Sequence, residues 1–311
     1  MQPKPFWADG ALLCIAFVWG STFVLVQGAI ATLPPFAFLA IRFGLACITL
    51  WLVLGWRGQL RDALESRYLK AGTFLGLWLF MGYALQTFSL LYTTSGKSGF
   101  LTGLSVVMIP VLSFFLLGIR PKVNAWSGVV LAVIGLYLLA LADFSQINRG
   151  DLLAILCAAG FGLQVAYTAK YAPRADALPL VTIQVTGVAV ASLLLSIVFE
   201  PWNEILRSQP WLNPGLWGAV LVTSFLATVL AYLGQTYFQR YTSPTRVALI
   251  FAMEPVFAAC TDYWWLGVTL TGWNLLGCVL IFLGMVLAEL PGKIVDHRRE
   301  GNTCAQKPSE S

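Results

Sequence analysis

Histidine is almost missing from this sequence: His297, in the polar C-terminal stretch, is the only one. Histidine-based acid–base catalysis and a His/Cys zinc site therefore have nothing to build on, and no metal or cofactor is expected. The six cysteines form no C-x-x-C pair. Five of them lie inside apolar segments and read as small core residues. Charge is scarce as well. Only 11% of residues are Asp, Glu, Lys or Arg, against about 25% in soluble domains. The charged groups are scattered, so an intramembrane enzyme, which needs an acid–base cluster at one depth, is a remote reading. No Gly-rich phosphate loop is present, so the chain encodes no ATP motor. The net charge of +5 is no nucleic-acid signal, because the basic residues sit in short loops and the tail.

What the sequence has in abundance is apolar length. Hydrophobic residues make up 58% of it, and the mean hydropathy is +0.77. Ten candidate spans can be read, at 9–30, 35–55, 69–92, 96–117, 124–142, 150–171, 178–199, 214–239, 244–266 and 271–290. Each is near the ~20 residues that a helix needs to cross ~30 Å of hydrocarbon. The expected fold is an all-α membrane protein. The first span lacks a small-residue cleavage site and reads as a retained helix, not a signal peptide. The tail, 291–311, is polar and is expected to be disordered.

Lysine and arginine alternate with the spans. Fifteen of the 19 fall on one side, three (Lys97, Arg149, Arg207) on the other, and Arg42 lies within the second span. The positive-inside rule then puts both termini in the cytoplasm.

The chain also repeats itself. Gly82 to Thr93 matches Ala231 to Thr242 at an offset of 149 residues, with Gln86 on Gln235, Thr87 on Thr236 and Tyr92 on Tyr241. Gly128 and Gly135 meet Gly277 and Gly284 at the same offset. Gly10, Leu12, Leu13, Ile15 and Gly20 meet Gly150, Leu152, Leu153, Ile155 and Gly160 at 140. Between these, Met108-Ile109-Pro110-Val111 pairs with Met253-Glu254-Pro255-Val256 at 145, which requires a four-residue gap to open and close. Two units follow, 9–142 and 150–290, each of five spans. Five is odd, so the second unit enters the membrane from the opposite side. Inverted five-helix repeats with interrupted helices in matching places mark secondary transporters.

At this point the sequence resembles the drug/metabolite transporter superfamily, in its ten-helix form with two EamA domains. The residues behind the resemblance are Trp19-Gly20, Arg42 after Pro34-Pro35, the stretch from Tyr92 to Val111, Gly150-Asp151-Leu152-Leu153-Ala154, and Met253-Glu254-Pro255-Val256. It implies a bacterial inner-membrane carrier for a small metabolite, often moved outward, with its cavity between the halves. The cargo class stays open among amino-acid-like, amine, nucleoside and drug-like molecules. A lipid-carrier flippase or assembly partner of the same superfamily is the alternative. Partners other than cargo and membrane lipid, and the oligomeric state, are not legible.

The candidate residues each carry two readings. Glu254 lies ten residues into its span, ~15 Å deep. It is either a protonatable group that binds a proton, a cation or a substrate amine, or a structural carboxylate with a polar neighbour. A charge there costs from ~3 to more than 10 kcal/mol. Arg42 is either an anion contact or an interhelical partner. Lys97 is either an interface anchor or a ligand. Tyr83 and Gln86, with Tyr232 and Gln235 at matching places, either bind substrate or join helices. Trp19 is either a cavity wall or packing for Gly20. Pro110 and Pro255 are taken as equivalent kinks and candidate hinges.

Overall fold

The computed structural model describes residues 5–140, 148–202, 205 and 212–290. The tail expected to be disordered lies outside the described residues. Among those described, ten helices stand in the order the sequence predicts. They are α1 (Pro5–Ile30), α2 (Pro35–Trp56), α3 (Ser66–Ser89), α4 (Ser95–Leu117) and α5 (Val123–Ala140), then α6 (Arg149–Tyr171), α7 (Ala177–Phe199), α8 (Pro214–Gln239), α9 (Pro244–Leu266) and α10 (Gly272–Glu289). A one-turn helix, Leu60–Ala63, joins α2 to α3.

Seven of the ten are long and apolar enough to cross a membrane by themselves. The other three have identifiable reasons. The α3 helix is long, but Arg67, Lys70, Tyr83 and Gln86 dilute its hydropathy. The α5 and α10 helices are apolar but short. Each of the three leans on neighbours, α3 on α6 and α7, and α5 on α10. Together they make an integral multi-pass membrane protein, all-α as expected.

The packing is reciprocal between the two sets of five helices. The α3–α6 contact recurs as α8–α1, and α3–α7 recurs as α8–α2. Glycines show the same exchange at close range. A methyl placed on Gly128 would lie 2.5 Å from the Gly284 carbonyl, and one on Gly135 would lie 2.6 Å from that of Gly277. Since Gly128 corresponds to Gly277 and Gly135 to Gly284, each contact is the other with its partners swapped. A two-fold relation requires this of any interface it crosses. Small residues here let the α5 and α10 backbones touch, which is how helices associate without a hydrophobic driving force.

The α4 and α9 helices are both interrupted. The first breaks at Leu104, between Ser95–Gly103 and Ser105–Leu117. The second breaks at Ala252-Met253, between Pro244–Phe251 and Glu254–Leu266. Both distal segments have 13 residues, and both end at a left-handed glycine, Gly118 and Gly267, each with φ of 68°. Glycine bears that backbone conformation without the Cβ penalty other residues meet.

This geometry corrects the pairing of the prolines. The offset stays at 149 throughout α4 and α9, so no gap opens. Inserting four residues would rotate the helix by ~40° and advance it by ~6 Å, which the equal segment lengths rule out. Glu254 therefore corresponds to Ser105, not Ile109, and Pro255 to Val106, not Pro110. Pro255 sits in the first turn of its segment, where a missing N–H costs nothing. Pro110 sits within a helix that continues past it, six residues after the break, so it does not mark the interruption.

Candidate functional site

The two interrupted helices deliver their distal segments to one place. A cavity of about 50 Å³ lies there, with walls from both sets of five helices. Ser105 and Glu254, the first residues of the distal segments of α4 and α9, both line it. Six of the seven sequence-selected binding candidates share this wall: Trp19, Arg42, Tyr83, Gln86, Tyr232 and Glu254. The seventh, Gln235, does not.

Arg42 is buried, 3% exposed. Its Nε donates to Thr228 Oγ1 at 3.1 Å and its Nη2 to Tyr83 Oη at 3.2 Å. The guanidinium also lies over the Tyr83 ring, 4.6 Å from its centre. Tyr232 Oη donates to Tyr83 Oη at 2.9 Å. The matched tyrosines of α3 and α8 thus meet at the pseudo-two-fold, and only one of them takes the arginine. All these partners are neutral, so among the described residues no carboxylate pairs with Arg42 in this wall.

Glu254 is the complement. It is partly exposed, toward the cavity, and among the described residues its carboxylate meets neither a hydrogen-bond donor nor a basic side chain. An unpaired carboxylate away from water is costly. A proton or a cationic group of a ligand would relieve that cost.

Trp19 stands in the cavity wall, and its packing partners are Tyr232 and Phe251, at centroid distances of 5.3 and 5.1 Å, not Gly20. Its indole N–H donates to the Ala227 carbonyl at 2.8 Å. That carbonyl belongs to a π-helical stretch of α8, Phe225–Leu230, where Thr228 Oγ1 bonds back five residues to the Thr223 carbonyl at 2.8 Å. A π-helical turn is wider than an α-turn and is frequent at functional sites. Here it presents Thr228 to Arg42 and Ala227 to Trp19 from one turn. The adjoining Gly20 lets α1 approach the Glu254 backbone, where a methyl would overlap the Glu254 carbonyl oxygen.

Gln86 and Gln235 occupy equivalent positions but have different surroundings. Gln86 faces the cavity. Gln235 is buried in a chain of amides, donating to Gln164 Oε1 at 3.2 Å and Gln239 Oε1 at 3.3 Å, while Gln239 donates to the Val165 carbonyl at 2.7 Å. It ties α8 to α6. Pro110 and Pro255 lie outside the lining. Lys97 is neither an interface anchor nor a cavity ligand: its Nζ is 2.7 Å from Asp151 Oδ2, and both side chains are buried. Inspection of the sequence missed Ser105, Thr102, Gln164 and Thr228. An ungapped offset would have found Ser105; no pattern marks the others.

The comparisons with known proteins agree with this architecture. The EamA-like transporter family matches twice, at residues 6–141 and 148–290. An uncharacterized transporter of Archaeoglobus fulgidus is 32% identical over 288 residues, covering 92% of this chain and 87% of that protein. A probable amino-acid metabolite efflux pump of Salmonella typhimurium is 26% identical over 298 residues, covering 90% and 94%. The uncharacterized inner membrane transporter YedA of Escherichia coli is 23% identical over 287 residues, covering 90% of each. One crystal structure superposes with a TM-score of 0.74 at 18% identity, covering 92% of this chain and 97% of that one, which shows a shared fold. This is a membrane transporter and not an enzyme, and the chain belongs to the EamA-like transporter family.

Proposed function

We propose that this protein is a secondary carrier that exports small, amino-acid-like metabolites across a bacterial inner membrane by alternating access, with both termini in the cytoplasm. One observation carries the reading: Arg42 and Glu254, opposite in charge and not paired with each other, face a single cavity built from both five-helix units. A zwitterion complements such a wall, its carboxylate toward the guanidinium and its ammonium toward Glu254. Trp19 and Phe161 supply apolar surface for the rest of the molecule. The name of the Salmonella relative supports the same cargo class. The charge alternation supports the orientation, and the name of the E. coli relative supports the membrane.

The cavity, about 50 Å³ in this conformation, has room for a few waters, each needing ~10–15 Å³ on this measure. An amino acid is larger. Substrate entry therefore requires helices to part, as alternation between two packings of similar halves provides. Glu254 is the residue proposed to take the substrate amine or a coupling proton.

The experiment is counterflow in proteoliposomes with amino acids, amines, nucleosides and sugars. Saturable uptake of zwitterions, reduced in Arg42→Gln, is the expected result. Uptake of none of them, with passage of a phospholipid-like carrier, would refute the reading in favour of a lipid flippase.

A further inference from the structure

Two ion pairs outside the cavity match each other across the repeat. Lys97 pairs with Asp151 at 2.7 Å, and Arg246 with Asp9 at 2.5 Å. Lys97 and Arg246 are equivalent at the 149-residue offset, and so are the residues that cap their helices. Thr94 Oγ1 accepts from the Lys97 N–H at 3.2 Å, and Ser243 Oγ accepts from the Arg246 N–H at 3.3 Å. Each cation thus stands in the first turn of an interrupted helix. That is the wrong end for positive charge, because the helix dipole opposes it. Each aspartate belongs to the opening helix of the other five-helix unit, and Asp151 stands in the first turn of its helix, where the dipole favours negative charge. Asp151 is further fixed by a capping box, with its Oδ2 accepting from the Asn148 N–H at 2.9 Å.

Both pairs therefore join one half of the protein to the other. They do so at opposite faces, since α1 and α6 begin five spans apart. Both also stand at the same remove from the cavity. Lys97 precedes Ser105 by eight residues, and Arg246 precedes Glu254 by eight, ~12 Å along the helix in each case. The pairing persists although its residues differ. Lysine replaces arginine, and Asp151 aligns with Ala11 at the 140-residue offset, two positions from Asp9.

We propose that Lys97–Asp151 and Arg246–Asp9 are two latches, one closing each end of the cavity, and that the transport cycle opens them one at a time. Both are closed here, in keeping with a cavity that holds only a few waters. Inward access requires the Arg246–Asp9 latch to open while Lys97–Asp151 holds; outward access requires the reverse. The latches are not equal. The Lys97 and Asp151 side chains are 5% and 3% exposed, those of Arg246 and Asp9 28% and 8%. Less water reaches the first pair, so its charges are dearer to separate.

The test needs no substrate. In a background with the native cysteines replaced, Ser105→Cys reports on access to the cavity by a membrane-impermeant maleimide. The reagent is applied to right-side-out and to inside-out vesicles. Each latch is removed with both charges neutralised, as Lys97→Met with Asp151→Asn, or Arg246→Met with Asp9→Asn. Each double variant removes both charges of its pair, so neither partner is left behind as an unpaired buried charge, the usual cause of misfolding, and Asp151→Asn can still accept from the Asn148 N–H. Removing a latch should raise labelling from its own face by about fivefold or more, the low end of typical conformational coupling, and not from the other. A merely structural pair would give no sidedness. Unchanged labelling, or an equal rise from both faces, would overturn the proposal. So would failure of the swapped pair Lys97→Asp with Asp151→Lys to restore low labelling.

Discussion

Replacing Gly20 by alanine isolates the contact that seats Glu254. A methyl group there would overlap the Glu254 carbonyl oxygen and lie 2.8 Å from Phe257 Cβ and 3.0 Å from Ala258 N. Two of these three atoms are backbone, so no rotamer change relieves the clash. Carbon atoms pack at ~3.5–4 Å, so α1 and the distal segment of α9 must part by roughly 0.5–1 Å. Overpacking of this kind costs about 1–3 kcal/mol. Alanine returns up to ~1 kcal/mol of helix propensity, which blurs the reading of a single variant. Gly10 supplies the control. It lies on the same helix, and a methyl there meets nothing within 4 Å, so Gly10→Ala carries the propensity gain without the clash. The two variants should then differ by the packing cost alone, about 1–3 kcal/mol. At ~2–4 °C per kcal/mol for a chain of this order, their melting temperatures in detergent should stand about 2–12 °C apart. Gly20→Ala should also slow transport, because it shifts Glu254 relative to Arg42. Equal melting temperatures would refute the close approach of α1 to α9 on which the site geometry rests.

Two further outcomes concern the charges. Arg42→Lys keeps the charge but cannot reach Thr228 and Tyr83 together or stack on the Tyr83 ring. With one charge-assisted hydrogen bond lost, ~1.5–3 kcal/mol, KM for a zwitterionic substrate should rise tenfold or more; an unchanged KM would remove Arg42 from the site. Glu254→Gln should leave substrate binding measurable by calorimetry but flatten the pH profile of flux, and a profile like that of the native protein would exclude Glu254 as the proton carrier.

The helices were legible because membrane spans advertise themselves. Lipid cannot satisfy a backbone amide, so lipid-facing crossing segments are helical and predominantly apolar. The charge alternation and the 149-residue repeat were legible for a similar reason, since both are properties of order along one chain. The repeat misled at one point. A four-residue word, Met-x-Pro-Val, outweighed the ungapped offset and paired Glu254 with Ile109. The structure returns it to Ser105, because two segments of 13 residues ending on equivalent glycines leave no room for a gap.

By itself the sequence determined the class, the ten crossings, the repeat and an expensive carboxylate at mid-depth. These follow from the solvent, which acts on each residue separately. Which polar groups meet was decided only by tertiary structure. Gln86 and Gln235 are equivalent in sequence, yet one faces the cavity and the other is spent joining helices. Tyr83 and Tyr232 touch each other, and only Tyr83 takes Arg42. Lys97, unremarkable on its own helix, finds its partner 54 residues away. Contacts of this kind depend on how ten helices cross, and the sequence holds them only through the packing of all ten.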